Sequence, residues 1–423
     1  MSSPAWNRIF TSATALGTRI LSRASPLQLK VTNGFSTTAA VQDKPVSPVN
    51  SWNEWDPLEE IVVGIPEYAT VPQLLPEVQI CVSKANWTFF RKNAGKYWAD
   101  VIPREHWDLL CKQIAEFVRT LELEGVKVVR PEPVDHGKSY SILGFQSRGF
   151  YAAMPRDFLL VVGDELIEAT MTWRSRYFEY LSYRPLIIDY WKRGAKWTVA
   201  PKPTNFDKLF DKDVAHKLQS GVVDKTEIGK ITTESEPCFD AADFIRAGRD
   251  IFGQRSQVTN LAGIEWVRRH LEPRGIRVHQ LTFEDPRPMH IDATFGLVKP
   301  GVALQNPDRP CHQTETLKSA GWDVVDVPQP LISKDHPLWL GSNWLSMNVL
   351  MLDPNRVMVE KEEVGIQDMY RKIGVTPIPV TIRFANSIGG GFHCWTSDVR
   401  RRGGLECYFD WTRSGFPKAG VVN

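Results

Sequence analysis

A helix-like stretch that ends in glycine and runs into a short β-rich segment recurs along this chain, and it restricts the possible folds more than any other feature. The clearest copy spans 104–130. Trp107, Leu110, Ile114 and Phe117 fall at helical spacing, followed by Gly125 and the run VKVV. Other copies end at Gly275 before IRVHQLTF, at Gly321 before WDVVDV and at Gly374 before VTPIPVTI, and a weaker one ends at Gly194 before AKWTVAP. Glycine after a helix suits the left-handed cap conformation, and β-branched runs suit strands.

A second element alternates with the first. Two apolar runs flank a short polar turn in FLLVV-GD-ELIEA (158–169), FIRA-GRD-IFGQ (244–254), TFGLV-KPG-VALQ (294–305) and NVLML-DPN-RVMVE (348–360). These read as hairpins. EEIVVGIP (59–66) resembles half of such a unit. The repeat is therefore hairpin, helix, strand (ββαβ), in about five copies with uneven spacing. The expectation is an α/β fold in which five units close around an axis as a pseudo-symmetric five-bladed propeller. Residues 172–238, with Trp173, Arg174, Arg176, Tyr177 and Phe178 and a Pro-rich stretch at 201–203, read as an insertion.

Charge marks off the N-terminus. Residues 1–42 hold Arg8, Arg19, Arg23 and Lys30 and no acid; Asp43 is the first. The segment is rich in Ser, Thr and Ala, with Trp6, Ile9, Phe10, Leu16, Ile20 and Leu21 between its charges. A basic, acid-free, amphipathic leader is what a mitochondrial transit peptide needs. We expect 1–42 to be that peptide and 51–423 to form a single catalytic domain. The whole chain carries a formal charge of only +2, too near neutral for a nucleic-acid footprint, and no run of about 18 apolar residues spans a membrane. Its six cysteines, Cys81, Cys111, Cys238, Cys311, Cys394 and Cys407, include no C-x-x-C pair, so no disulfide scaffold is expected.

Reactive residues gather where the hairpins begin. Asp157 precedes the first, Asp240 and Asp243 the second, His290 and Asp292 the third, and Ser342 the fourth; Cys394 lies in the last segment, GGGFHCWT (389–396). Rotation of five units about an axis would bring these positions into one central pocket. Taken singly, Cys394 reads equally well as a buried structural thiol, and the aspartates as solvated or capping acids. Together they fit a nucleophilic thiol with an imidazole as general acid and base. The surplus of carboxylates points to a planar cation, since a guanidinium presents its donors in a fork that carboxylates receive. His290 and Asp292 would point the same way if they lay on a strand. Arg309, in NPDRP, is either a surface turn residue or a substrate anchor. His393 beside Cys394 has no second ligand pair at zinc spacing, so no metal site is expected.

Six stretches carry a family resemblance: YAAMPRD (151–157), EPCFDAADFIRAGRD (236–250), PMHIDATF (288–295), NPDRPCH (306–312), NWLSMNVLML (343–352) and GGGFHCWT (389–396). They are similar to the arginine:glycine amidinotransferases of the guanidino-modifying superfamily, from about Asn53 to Asp410. That resemblance implies the five-bladed propeller and the catalytic set Cys394 (nucleophile), His290 (general acid and base) and Asp240 (its carboxylate partner). It implies that Asp157 and Asp292 hold the guanidinium while Arg309 and Ser342 contact the amino-acid end. The implied reaction is ping-pong transfer of the amidino group of L-arginine to glycine, a step toward creatine, without cofactor or metal. A deiminase or an inosamine-phosphate amidinotransferase on the same fold is the neighbouring reading. A homodimer at the mitochondrial inner membrane, facing the intermembrane space, is also implied. The chain departs from the family pattern at Gly341, where serine is expected, at Ser397, where cysteine is expected, and at Cys407, where serine is expected. The expected thiol of Cys394 is one with a depressed pKa.

Overall fold

The computed structural model describes residues 46–142, 145–221 and 229–412. The expected transit peptide, 1–42, lies outside them. The described part is a mixed α/β fold built on five small open sheets of three strands each.

Four of these sheets share one topology in chain order. In each, an antiparallel hairpin is followed by a helix, and the strand after the helix pairs parallel to the second hairpin strand. The first such sheet holds Leu159–Val162, Glu165–Glu168 and, beyond helix Tyr180–Lys192, Lys196–Val199. The next holds Phe244–Ala247, Asp250–Gln254 and Arg277–Leu281, with helix Leu261–Leu271 between. Then come Phe295–Lys299, Val302–Gln305 and Asp323–Asp326, with helix Thr314–Ser319, and Leu350–Asp353, Arg356–Glu360 and Thr376–Val380, with helix Val364–Lys372.

The fifth sheet is assembled from both ends of the described chain. Leu58–Val63 pairs parallel with Lys127–Val129 after helix Arg104–Leu123, and antiparallel with Thr396–Arg401. The half-unit visible in the sequence at 59–66 thus receives its missing strand from more than 300 residues away.

The glycine that closes each helix, at 125, 194, 275, 321 and 374, has φ between 71° and 104°. An ordinary side chain would be strained there, which is why glycine marks the end of every unit. On helix Arg104–Leu123 the buried face is Leu110, Ile114, Phe117 and Leu121. That i, i+4, i+7, i+11 spacing lays one apolar stripe against the sheets.

Residues 172–238 are not one insertion. Tyr180–Lys192 and Lys196–Val199 are the helix and third strand of their own unit. Aromatic residues and Pro185 disguise the helix in the sequence. The additional material begins after that strand, with the short helices Phe206–Leu209 and Lys212–Gln219 around a small core of Phe206, Leu209, Phe210, Leu218 and Ile231. Among the described residues, no helix is long and apolar enough to cross a membrane.

Candidate active site

Four sheets present a polar residue at the same point, on the turn leading into the first hairpin strand, and the fifth presents Cys394 just before its C-terminal strand. Asp157 lies in the helical turn Pro155–Phe158. Asp240 caps the turn Ala241–Asp243, His290 precedes Ile291–Ala293, and Ser342 caps Asn343–Met347. Cys394 stands two residues before strand Thr396–Arg401. The turn of Asp157 touches that of Asp240, which touches that of His290 and Asp292, which touches that following Ser342. Turns distant in the chain are thereby brought together around a common centre.

That centre is a cavity of about 150 Å³. Asp157, His290, Asp292, Arg309, Ser342 and Cys394 all line it. A carboxylate oxygen of Asp157, a ring nitrogen of His290 and the sulfur of Cys394 lie within 4.8 Å of one another. Asp240 sits behind His290, its Oδ2 3.1 Å from Nε2, while Nδ1 is 3.6 Å from Asp157 Oδ1. Asp243 is elsewhere. It is fully buried and takes hydrogen bonds from Gln254, Ser256 and Thr259, which makes it a structural acid.

His290 and Asp292 do not pair along a strand, as the sequence suggested. His290 has φ 54° and a 3₁₀ turn follows it, so the two side chains find different partners. Such a positive φ at a non-glycine residue is costly and persists only where the surroundings enforce it. Asp292 instead accepts from His393 Nδ1 at 2.8 Å and from the Cys394 thiol at 3.3 Å.

Cys394 is 4% exposed. Burial and the charge of Asp292 push its thiol up to about 12, against the smaller opposing effect of a hydrogen bond with His290. The expected depression of this thiol is therefore not found. Burial works against a charged His290, but Asp157 and hydrogen bonds with Asp240 and Cys394 prevail and hold the ring well above the usual histidine range. The resting pair is a neutral thiol beside an imidazolium.

Two residues at the site were not singled out from the sequence. Arg176 donates to Asp157 Oδ2 at 2.7 Å and grips Glu179 through Nε and Nη2, so a resident guanidinium already occupies one face of Asp157. Its i, i+3 spacing to Glu179 was the available signal. Asn348 holds the cysteine segment: its Oδ1 accepts from Gly391 N at 3.0 Å and Cys394 N at 3.1 Å, and its Nδ2 donates to Cys394 Sγ at 3.2 Å. Nothing in NWLSMNVLML distinguishes it locally. With those positions taken, Asp157 Oδ1 and Asp292 Oδ1 remain buried without a hydrogen-bond partner.

Two further arginines, Arg287 and Arg309, line the cavity with Gly341, Ser342 and Leu345. Arg309 Nε lies 3.3 Å from Asp285 Oδ2, and Ser342 Oγ accepts from Trp344 N. A Cβ on Gly341 would fall 2.5 Å from Asn386 O, so this backbone has no room for the serine of the family pattern.

A buried thiol, a charged imidazole and carboxylates with oxygens free of hydrogen bonds make a site suited to a cationic, planar group, and the chain is similar to enzymes that transfer such a group. No family model matches the chain. The mitochondrial glycine amidinotransferase of Xenopus tropicalis is 54% identical over 395 residues, covering 90% of this chain and 92% of the relative. The L-arginine:L-lysine amidinotransferase of Pseudomonas savastanoi pv. phaseolicola is 45% identical, covering 86% and 97%. Among solved structures, an amidinotransferase of the saxitoxin biosynthetic pathway of Microseira wollei aligns with a TM-score of 0.75 at 42% identity, covering 86% of this chain and all of the other. The chain belongs to the glycine amidinotransferase family.

Proposed function

We propose that this enzyme moves the amidino group of L-arginine to glycine through an amidino-cysteine on Cys394, releasing L-ornithine and guanidinoacetate, a precursor of creatine. One observation carries the reading: a buried sulfur faces a cavity in which two aspartates each keep one oxygen without a hydrogen bond. Those oxygens are the acceptors a guanidinium requires, and they would hold it flat with its central carbon toward Sγ.

Arginine itself prepares the nucleophile. Burial and the charge of Asp292 push the thiol up to about 12, and a cation seated between Asp157 and Asp292 offsets the second of these. The sulfur attacks the guanidino carbon. His290, already protonated, gives its ring proton to the departing δ-amine of ornithine and takes up the proton of the thiol. Asp240, hydrogen-bonded to Nε2, steadies the imidazolium between these transfers. Glycine then enters and its ammonium proton passes to solvent, which balances the proton that the free δ-amine of ornithine takes up on release. Its amine attacks the amidino carbon, the C–S bond breaks, and the second amine proton passes through His290 back to sulfur. Arg309 and Ser342 would hold the carboxylate end of arginine. Glycine is favoured as acceptor because relatives named for glycine stand at 54–55% identity, above the lysine-acting relative at 45%.

Intact-protein mass spectrometry after mixing with arginine alone tests this. A gain of one amidino group on Cys394, discharged by glycine to guanidinoacetate, is the expected result. Accumulation of citrulline without an adduct would instead make the protein a deiminase.

The larger assembly follows the same reading. We take the five sheets as blades of a pseudo-symmetric α/β propeller within a single catalytic domain, 51–423. Support comes from contacts in series: Thr396–Arg401 with Leu159–Val162, Phe244–Ala247 with Phe295–Lys299, and Leu350–Asp353 with Leu58–Val63. Residues 1–42 would direct the chain to the mitochondrion, where it would act as a homodimer at the inner membrane on the intermembrane-space side. Light scattering of the purified protein and N-terminal sequencing of the imported form test these points; a monomer or an uncleaved leader would refute them.

A further inference from the structure

His393 is buried between two acids. Its Nδ1 lies 2.8 Å from Asp292 Oδ2 and its Nε2 3.2 Å from Glu54 Oε2. A ring with an acid at each nitrogen is satisfied only as an imidazolium, which has two donors. The third charged group facing it is Arg156, 3.7 Å from Glu54. Burial and Arg156 oppose the charged ring, yet Asp292 and Glu54 raise its pKa above the ordinary histidine value.

Glu54 is itself anchored. Arg246 donates to it through Nε and Nη2, each at 2.8 Å, and also binds Asp398, which in turn pairs with Arg156 and Arg401. All of these are buried. On the other side, burial raises the carboxyl of Asp292, but the hydrogen bond and charge of His393, with smaller help from His290 and Cys394, hold it below the usual carboxylate range.

We propose that His393 is a positioning residue for the donor substrate: by clamping Oδ2 of Asp292 to the buried ion network, it aims the free Oδ1 at the guanidinium of arginine. A carboxylate fixed at one oxygen cannot rotate the other away, so the acceptor is set before substrate arrives. His393 and Cys394 are also neighbours in the chain. The group that fixes the acid and the group that carries the sulfur therefore share one peptide, and the 3.3 Å between Sγ and Oδ2 is set by short covalent distances. Both ring nitrogens are occupied, which leaves His393 no lone pair to act as a base. The inference rests on the arginine reaction proposed above.

The test is arginine binding by calorimetry, measured in a Cys394→Ser background so that no turnover is needed. His393→Leu removes both hydrogen bonds, and His393→Asn can keep the one to Asp292 without the charge. Arginine affinity is expected to fall about tenfold to a hundredfold in His393→Leu and to recover in part in His393→Asn. Loss of the imidazolium also raises the pKa of Asp292. Arginine binding in His393→Asn is therefore expected to weaken at a higher pH, as pH is lowered, than with His393 present. Unchanged affinity and an unchanged acid limb in folded variants would overturn the proposal. So would a lowered melting temperature with no movement of that limb, the mark of a purely structural role. If His393→Leu does not fold, the acid limb of His393→Asn decides. Formation of the Cys394 adduct by wild-type protein reports separately on the reaction itself.

Discussion

Asn348 binds the segment of Cys394 from three directions, accepting from the backbone of Gly391 and Cys394 and donating to the cysteine sulfur at 3.2 Å. One amide thus fixes the backbone that carries the nucleophile and the lone pairs of the nucleophile itself. Asn348→Ala leaves two buried N–H groups unpaired and deprives a thiolate of a donor. We expect a loss of about 1–3 kcal/mol in stability and a fall in turnover of roughly a hundredfold. Denaturant melts and steady-state kinetics check the two separately. Asn348→Asp, which restores the acceptor but not the donor, is expected to recover stability better than activity.

Burial and the charge of Asp292 hold the thiol of Cys394 up to about 12. A raised thiol pKa means little thiolate below that pH, so iodoacetamide is expected to leave Cys394 largely unmodified at pH 8, while exposed Cys407 is alkylated. Peptide mass spectrometry across pH measures this. Rapid labelling of Cys394 at pH 7–8 would contradict the negative surroundings described for the site.

Asp292→Asn and Asp157→Asn each remove one negative charge from the cavity. Both are expected to raise the KM for arginine about tenfold to a hundredfold through loss of a charge-assisted acceptor. Because the charge of Asp292 is the second largest cause of the raised thiol, Asp292→Asn is also expected to move Cys394 alkylation to lower pH. Weaker arginine binding is thus expected together with a more reactive sulfur, and an unchanged melting temperature separates this outcome from exposure of the thiol by damage to the fold.

Two glycines separate backbone conformation from space. Gly125 has φ +81° and nothing within 4 Å of an added Cβ, so Gly125→Ala is expected to cost about 1 kcal/mol and to leave activity intact. Gly390 has φ +63°, and a Cβ there would fall 2.5 Å from the Cβ of Cys394 and 2.6 Å from Met154 Sδ. Gly390→Ala is expected to displace the nucleophile and abolish adduct formation. Thermal melts with adduct mass spectrometry distinguish these outcomes.

What could be read beforehand follows the range of the interactions. The four hairpins and the five helix-closing glycines have signatures within a dozen residues, and their positions in the structure are those the sequence suggested. Their common placement of Asp157, Asp240, His290, Ser342 and Cys394 at hairpin entrances was legible for the same reason. Arg176, Asn348 and the pairing of Glu54 with His393 were not, because each depends on a partner brought close only by the finished fold. The strand reading of His290-Ile291-Asp292 failed because a positive φ at His290 overrides local alternation. The thiol was misjudged because burial and the charge of Asp292 outweigh the help of one imidazole.

The sheet made from Leu58–Val63 and Thr396–Arg401 has a temporal meaning. A chain emerging N-terminus first can form its helices and its four chain-local sheets as it lengthens, but this sheet stays incomplete until the final strand arrives. Cys394 immediately precedes that strand and is seated with it. Synthesis interrupted before the last thirty or so residues therefore yields a protein with most of its core and without Cys394. Chemistry begins only when the first strand of the domain has been met by the last.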